Sequence, residues 1–234
     1  MILRTYGGTC EERTIRGMPK YLDLATWSRR QLFEFFIEYD NPYFNVCLRL
    51  DVTEVLSWLR SRETAGVSLA NHYFALCVAN EIEPFRYRLQ GDKVLVHDVI
   101  NGGTTVLLPD ESFTFAYFDY HHDFDEFMKG AQESVAQTIA NPTFQPTPRD
   151  NLLYFTTLPW LSFTSFAHAR KRGRGDSVPR IAFGRFVKEN DRTWLPFSVE
   201  VHHALMDGLH VGRYVNRLQE VLSDPENYLA SRKT

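Results

Sequence analysis

Residues 180–222 read RIAFGRFVKENDRTWLPFSVEVHHALMDGLHVGRYVNRLQEVL. The largely apolar stretch 180–187 reads as a strand, and 194–202 as another in which apolar and polar residues alternate from Phe197 into the histidines, the period of a strand with one buried face. The connection 188–193 is too short to hold a crossover helix, which argues against a doubly wound sheet. The pattern then changes at His202-His203. Asp207 and Gly208 open a segment, 208–222, whose apolar residues recur at helical spacing. Short-linked strands running into a helix point to an α+β sandwich.

Working back toward the N-terminus, the same mixture continues. Strands are expected at 154–158 and 162–166. A helix follows Asp123, an N-cap residue, with Phe124, Phe127, Ala131, Val135 and Ile139 on one face, and Pro142, Pro146 and Pro148 close it. Strands at 104–108 and 112–118 precede it, and Gly91-Asp92 joins 85–89 to 94–99 as a hairpin. Helices are expected at 27–39 behind a Thr26 cap, from Asp51 to 59 in a capping-box variant with Glu54, and from Ser68 to just before Pro84. A strand at 45–50 lies between the first two. Residues 1–20 are expected to form a loosely ordered extension and 21–234 a single domain, since no repeat, low-complexity tract or long linker interrupts the chain.

Composition narrows the function. The 234 residues carry 26 Lys+Arg against 29 Asp+Glu, a net charge of -3 that provides no general pull toward nucleic acid or an anionic membrane. No apolar run approaches the ~18 residues that span a bilayer, and residues 1–20 lack the apolar stretch of a signal peptide. Cys10, Cys47 and Cys77 form an odd, widely spaced set without a CxxC pair, so neither a disulfide framework nor a zinc site is indicated. The expectation is a soluble cytoplasmic protein with no metal, no nucleic-acid partner and no membrane partner. Its 18 Phe and 11 Tyr suit large buried surfaces and apolar pockets.

The chemistry concentrates at residues 202–207. A histidine leaving a strand edge is held by rigid backbone and accepts a proton near neutral pH. Asp207 can orient local backbone or meet an arginine, and Gly208 permits a close turn. His202, His203 and Asp207 also suggest metal ligands, but adjacent residues of a strand point to opposite faces, so one metal rarely takes both histidines. On residue types alone, a core-and-turn role stays open beside the catalytic one. Asp119, His121, His122 and Asp123 raise the metal question again; capping and surface roles suit them better. The basic cluster Arg170, Lys171, Arg172 and Arg174 reads as an exposed loop rather than a phosphate site.

The segment VHHALMDGLHVGRYVNRLQ (201–219) resembles the HHxxxDG signature and following helix of the chloramphenicol acetyltransferases. Four further blocks resemble that family in the same order: LDLATWSRRQLFEFF (22–36), NEIEPFRYRLQGDKVLVHDVI (80–100), FDYHHDFDEFM (118–128) and TTLPWLSFTSF (156–166). Together they cover residues 21 to about 222. HHxxxDG alone also occurs in dihydrolipoyl acyltransferases and in peptide-synthetase condensation domains; five collinear blocks are far more specific.

The resemblance implies a two-layer α+β sandwich, a mixed sheet flanked by helices, and transfer of the acetyl group of acetyl-CoA to a hydroxyl of chloramphenicol in a ternary complex. By resemblance, His203 is the general base, His202 is structural, and Asp207 pairs with Arg29 to hold the site's geometry. If that pair is buried, breaking it costs ~3–5 kcal/mol. Thr156 stands where the family has a serine whose hydroxyl serves the oxyanion. Phe44 fits a pocket phenylalanine, and Trp160 and Arg185 fall where the family contacts CoA. Family members are homotrimers with active sites between subunits.

Four departures bear on the acceptor. Thr156 replaces that serine, Phe36 a tyrosine, Ala182 a threonine and His168 a leucine. They leave two alternatives beside chloramphenicol acetylation: the same fold acting on another hydroxyl acceptor, and a CoA- or drug-binding homologue that has lost turnover.

Overall fold

The computed structural model describes residues 20–144, 146–170 and 176–232. The expected extension up to residue 19, with Cys10, and the basic residues Lys171, Arg172 and Arg174 lie outside the described residues. The chain runs β1 (Lys20–Tyr21), α1 (Arg30–Phe36), β2 (Tyr43–Asp51), α2 (Thr53–Ser61) and α3 (Val67–Glu81), then a 3-10 turn at Glu83–Arg86. The hairpin β3 (Tyr87–Gln90) and β4 (Lys93–Val96) leads to β5 (Asn101–Leu107), β6 (Phe113–Phe118) and α4 (Phe124–Ala140). The remainder is β7 (Leu152–Thr157), β8 (Arg180–Phe183), β9 (Val187–Glu189), β10 (Arg192–His202), α5 (Gly208–Ser223) and α6 (Pro225–Ser231).

The main sheet has the order β2-β10-β8-β7-β5-β6, with β9 also on β10, while β1, β4 and β3 form a small second sheet. The ladders β5/β7 and β7/β8 are parallel and the others antiparallel, so the sheet is mixed, as expected for an α+β sandwich. Alternation along the strands sends Phe155, Ile181, Phe183, Phe197, Val199 and Val201 to one face, where they are buried in the core with α3 and α5. Helix α3 is enclosed on every side: Ala70 through Ala79 are all buried. A helix apolar all round is a core helix. Each large side chain buried this way contributes about 1.5–3 kcal/mol. The other sheet face carries Thr156, Ala182, Ser198 and Glu200, a more polar set.

Local chemistry explains where elements begin. Asp123 caps α4, its carboxylate accepting from the N–H groups of Asp125 and Glu126. Thr26 does not cap α1. Its hydroxyl donates to Asp23 at 3.0 Å, residues 27–29 turn instead, and the helix covers only seven residues before the weak helix formers around Ile37 and Tyr39. Asp51 sits one residue early for a cap and forms a local turn, accepting from the N–H and Oγ1 of Thr53 at 3.1 and 2.7 Å. Residues 162–166 form no strand.

The expected strand 180–187 is broken into β8 and β9. Pro196 of β10 has no N–H to offer the ladder, and Gly184–Phe186 bulge opposite it. A Cβ on Gly184 would lie 2.8 Å from both the Leu161 carbonyl oxygen and Pro196, so only glycine allows the 158–161 turn to seat there. Among the described residues, no helix is long and apolar enough to cross a membrane.

Candidate functional site

His203 follows the last residue of β10 and is fixed through its backbone. Its N–H donates to the Pro42 carbonyl at 2.7 Å, extending the register in which His202 faces Tyr43. A tight turn follows, with Leu205 and Met206 N–H groups donating to the His202 carbonyl. The His203 imidazole lies flat on Phe36, centroids 3.8 Å apart and planes 8° from parallel, with Phe44 tilted against it at 4.7 Å. Its Nδ1 is buried and has no hydrogen-bond partner among the described residues.

His202 turns the other way. It is buried, edge-on to Tyr43, and its Nδ1 accepts from the Ala204 N–H at 3.2 Å. Burial pushes it down to about 4, so the ring is neutral. The two rings diverge, and no group of three or more His, Cys, Asp and Glu among the described residues could hold a metal ion. Asp119 is paired with Arg149 at 2.9 Å and Asp123 caps α4.

Asp207 is the N-cap of α5, accepting from the Leu209 N–H, and its Oδ2 accepts from Arg29 Nε at 3.2 Å. The guanidinium also reaches the carbonyls of His203 and Ala204, each at 3.5 Å. Arg29 therefore ties the bend that carries His203 to the cap of the next helix. The pair is half-buried and single-pronged, with side-chain exposures of 11% for Arg29 and 30% for Asp207. The cost of breaking it is accordingly about 1–3 kcal/mol, below that of a fully buried pair. Burial alone would raise the Asp207 carboxyl, but the His210 and Arg29 charges outweigh it and hold it below the usual carboxylate range.

The other expected site residues lie elsewhere. Thr157 turns to the helices, bonding Ser68 at 3.0 Å and His72 at 3.4 Å, so Thr156 faces away from them. Thr156 pairs with Ala182, which pairs with Ser198. That is two ladder steps, roughly 10 Å, across the sheet, and His203 lies another five residues, roughly 16 Å, along it. Within one chain the two are thus about 19 Å apart, and no single acyl group can touch both. His203, Arg29, Asp207, Phe36 and Phe44 come together; Thr156 and Ala182 form a second, separate group. Trp160 is exposed beside Leu161, whose carbonyl accepts from the Arg185 N–H at 2.7 Å, so Trp160 and Arg185 share one exposed corner.

His168 belongs to a polar cluster that the residue pattern does not reveal. Glu200, only 4% exposed, accepts from Arg170 Nε at 2.6 Å and from the His168 N–H at 3.4 Å. Arg170 also pairs with Asp176 at 3.1 Å and lies over the Tyr43 ring at 4.0 Å; Arg180 pairs with Asp176 as well. Arg170 is therefore not part of a solvated basic loop: its side chain is 10% exposed and engaged on both sides. Burial pushes His168 down to about 4, with Glu200 opposing and Arg180 and Arg170 reinforcing. A cavity of about 240 Å³ between Trp58, Phe124 and Leu229 lies away from His203, on the helical side.

A strand-end imidazole, backbone-fixed and seated on an aromatic ring above an Arg–Asp tie, is a candidate centre for general-base chemistry on a mixed-sheet scaffold. The sequence profile of the chloramphenicol acetyltransferases matches residues 19–219, and the chain belongs to that family. A chloramphenicol acetyltransferase of Streptomyces acrimycini is 34% identical over 212 residues, 88% of this chain and 96% of that protein. One from Vibrio anguillarum is 28% identical over 89% of this chain and 96% of its own. A solved chloramphenicol acetyltransferase structure superposes with a TM-score of 0.77 at 24% identity, over 88% of this chain and all of that one, and shows the shared fold.

Proposed function

We propose that this chain, through its single domain 21–234, is a cytoplasmic enzyme that acetylates a hydroxyl of chloramphenicol with acetyl-CoA and so inactivates the antibiotic. His203 removes the hydroxyl proton as the oxygen attacks the thioester carbonyl. The tetrahedral intermediate carries its negative charge on the former carbonyl oxygen, where the Thr156 hydroxyl donates. Collapse re-forms the carbonyl, breaks the C–S bond and expels CoA as a thiolate, which takes the proton back from His203. No acyl-enzyme is required, so positioning both substrates lowers the barrier. A base of this kind contributes ~10²–10⁴-fold, and loss of one oxyanion donor costs ~10²–10³-fold.

One observation supports the reading most strongly. His203 and Thr156 stand about 19 Å apart in one chain by ladder spacing, so a site that uses both needs a second copy. Active sites shared between the subunits of a homotrimer reconcile the two halves, with His203, Phe36 and Phe44 from one subunit and Thr156, Ala182 and His168 from its neighbour. Trp160 and Arg185, an indole and a guanidinium at one exposed corner, suit the base and phosphates of CoA.

Release of free CoA from acetyl-CoA, with and without chloramphenicol, tests the reaction for the wild type and His203→Ala in parallel. Chloramphenicol-dependent release that vanishes in the variant supports reaction and base together. Release with other alcohols but not chloramphenicol would move the assignment to a different acceptor, a reading favoured by the hydroxyl that Phe36 lacks and by the imidazole of His168. Light scattering at three times the 27.3 kDa chain mass is the expected assembly.

A further inference from the structure

His210 stands three residues after Asp207, at the third position of α5, where a capping box ordinarily has Glu or Gln. Its Nδ1 lies 3.2 Å from the Asp207 backbone nitrogen and 2.8 Å from Asp207 Oδ1. One ring nitrogen carries either a lone pair or a proton, so it makes one of these bonds at a time. A proton on Nδ1 binds the carboxylate oxygen Oδ1 2.8 Å away, and a lone pair there binds the Asp207 N–H. In both states the ring is held against Oδ1, which also accepts from the Leu209 N–H at 3.1 Å, and this leaves Oδ2 for Arg29. The imidazole is 14% exposed and keeps that contact largely out of water. On the far side of the carboxylate, Arg29 from the turn before α1 is the charged partner.

We infer that His210 is a positioning residue of the acyl-transfer site: it sets the orientation of the Asp207 carboxylate, which aims Arg29 at the carbonyls of His203 and Ala204. The inference rests on His203 being the general base. An ordinary capping residue would satisfy the helix end alone. Here the same side chain is the first link of a series, His210 to Asp207 to Arg29 to the backbone of His203, and each link is a direct contact.

The test compares His210→Ala and His210→Gln with the wild type, reading kcat, both KM values and the unfolding midpoint on purified assembled protein. Gln offers an amide N–H for the carboxylate and an oxygen for the backbone N–H. In His210→Ala the expected result is at least a tenfold drop in turnover, with KM values within about 2-fold of wild type. In His210→Gln turnover should recover to within about 3-fold of wild type. A lowered unfolding midpoint with unchanged turnover in His210→Ala would overturn the inference, leaving His210 as a helix cap only. A rise in KM alone would overturn it too. His203→Ala run alongside separates the two readings: full activity there defeats the base itself, whereas an inactive His203→Ala with a fully active His210→Ala defeats only the role of His210.

Discussion

The imidazole of His203 and the ring of Phe36 are stacked face to face, 3.8 Å between centroids and 8° between planes. A strand end fixes the backbone of His203, and among the described residues this contact and Phe44 hold its ring, Nδ1 having no hydrogen-bond partner among them. A carboxylate or carbonyl on the second nitrogen often orients a histidine ring. For His203 an aromatic surface takes that place.

Phe36→Ala should therefore slow turnover by roughly 10–100-fold through loss of ring alignment, with a small change in thermal midpoint because Phe36 is only half-buried. Phe36→Tyr keeps the stack and should stay within about 3-fold of wild type. Steady-state kinetics with both variants checks this; equal kcat for the Ala variant and wild type would mean that the ring is held by something other than Phe36.

Arg29→Lys should not substitute. The bond to Asp207 comes from Nε and the carbonyls of His203 and Ala204 take the two terminal nitrogens, a fork that an ammonium cannot reproduce. Loss of about 1–3 kcal/mol in stability, seen by urea denaturation, should accompany slower turnover. Retention of both by the Lys variant would show that Arg29 acts only as a charge.

The buried pair Arg170–Glu200 gives a different signature. Arg170→Met leaves Glu200 charged, buried and unpaired, and should cost about 3–5 kcal/mol. Adding Glu200→Gln removes the stranded charge, so the double variant should regain much of that loss in urea unfolding. Strictly additive losses would mean that the two side chains are not coupled.

Acid should destabilise the fold steeply. His72 is held near 3 by burial, and His168 and His202 are each held near 4, burial again being the largest cause. An unfolded histidine titrates near 6.5, so below that pH the unfolded chain binds protons that the folded chain does not. Their contribution is complete above pH 6.5 and is lost as pH falls toward the folded values, at up to about 1.4 kcal/mol per pH unit for each group. Unfolding free energies at pH 7, 6 and 5 check this. His72 is stacked on Phe155 at 4.4 Å, so His72→Phe should keep the packing and flatten the slope; a slope unchanged by that variant would remove His72 from the account.

Some of these relationships can be read directly from residue order. Asp123 and Asp207 announce helix starts because a capping carboxylate needs only its own next two or three residues. The bend at His203 is legible because alternation stops there. Thr26 misleads because its hydroxyl has a nearer partner in Asp23, and β8 is broken by Pro196, a residue on the neighbouring strand rather than its own. The Arg170–Glu200 pair stays hidden for the same reason: thirty residues separate the two, and on an alternating strand Glu200 looks like an ordinary solvent-facing position. His210 is inconspicuous because it occupies a place that capping boxes usually fill with Glu or Gln. Thr156 and His203 match family roles one by one, but their separation is a property of sheet order, which no local pattern contains.

That separation yields the most direct test of a site shared between subunits. His203→Ala and Thr156→Ala are purified alone and also co-expressed at equal levels with distinguishable tags, and chloramphenicol-dependent CoA release is measured for each assembly. If His203 comes from one subunit and Thr156 from its neighbour, about a quarter of the sites in randomly mixed trimers regain both side chains, and activity should rise to roughly that share of wild type, far above either parent. Mixed trimers no more active than the single variants would place both residues in sites built by one chain and contradict the account.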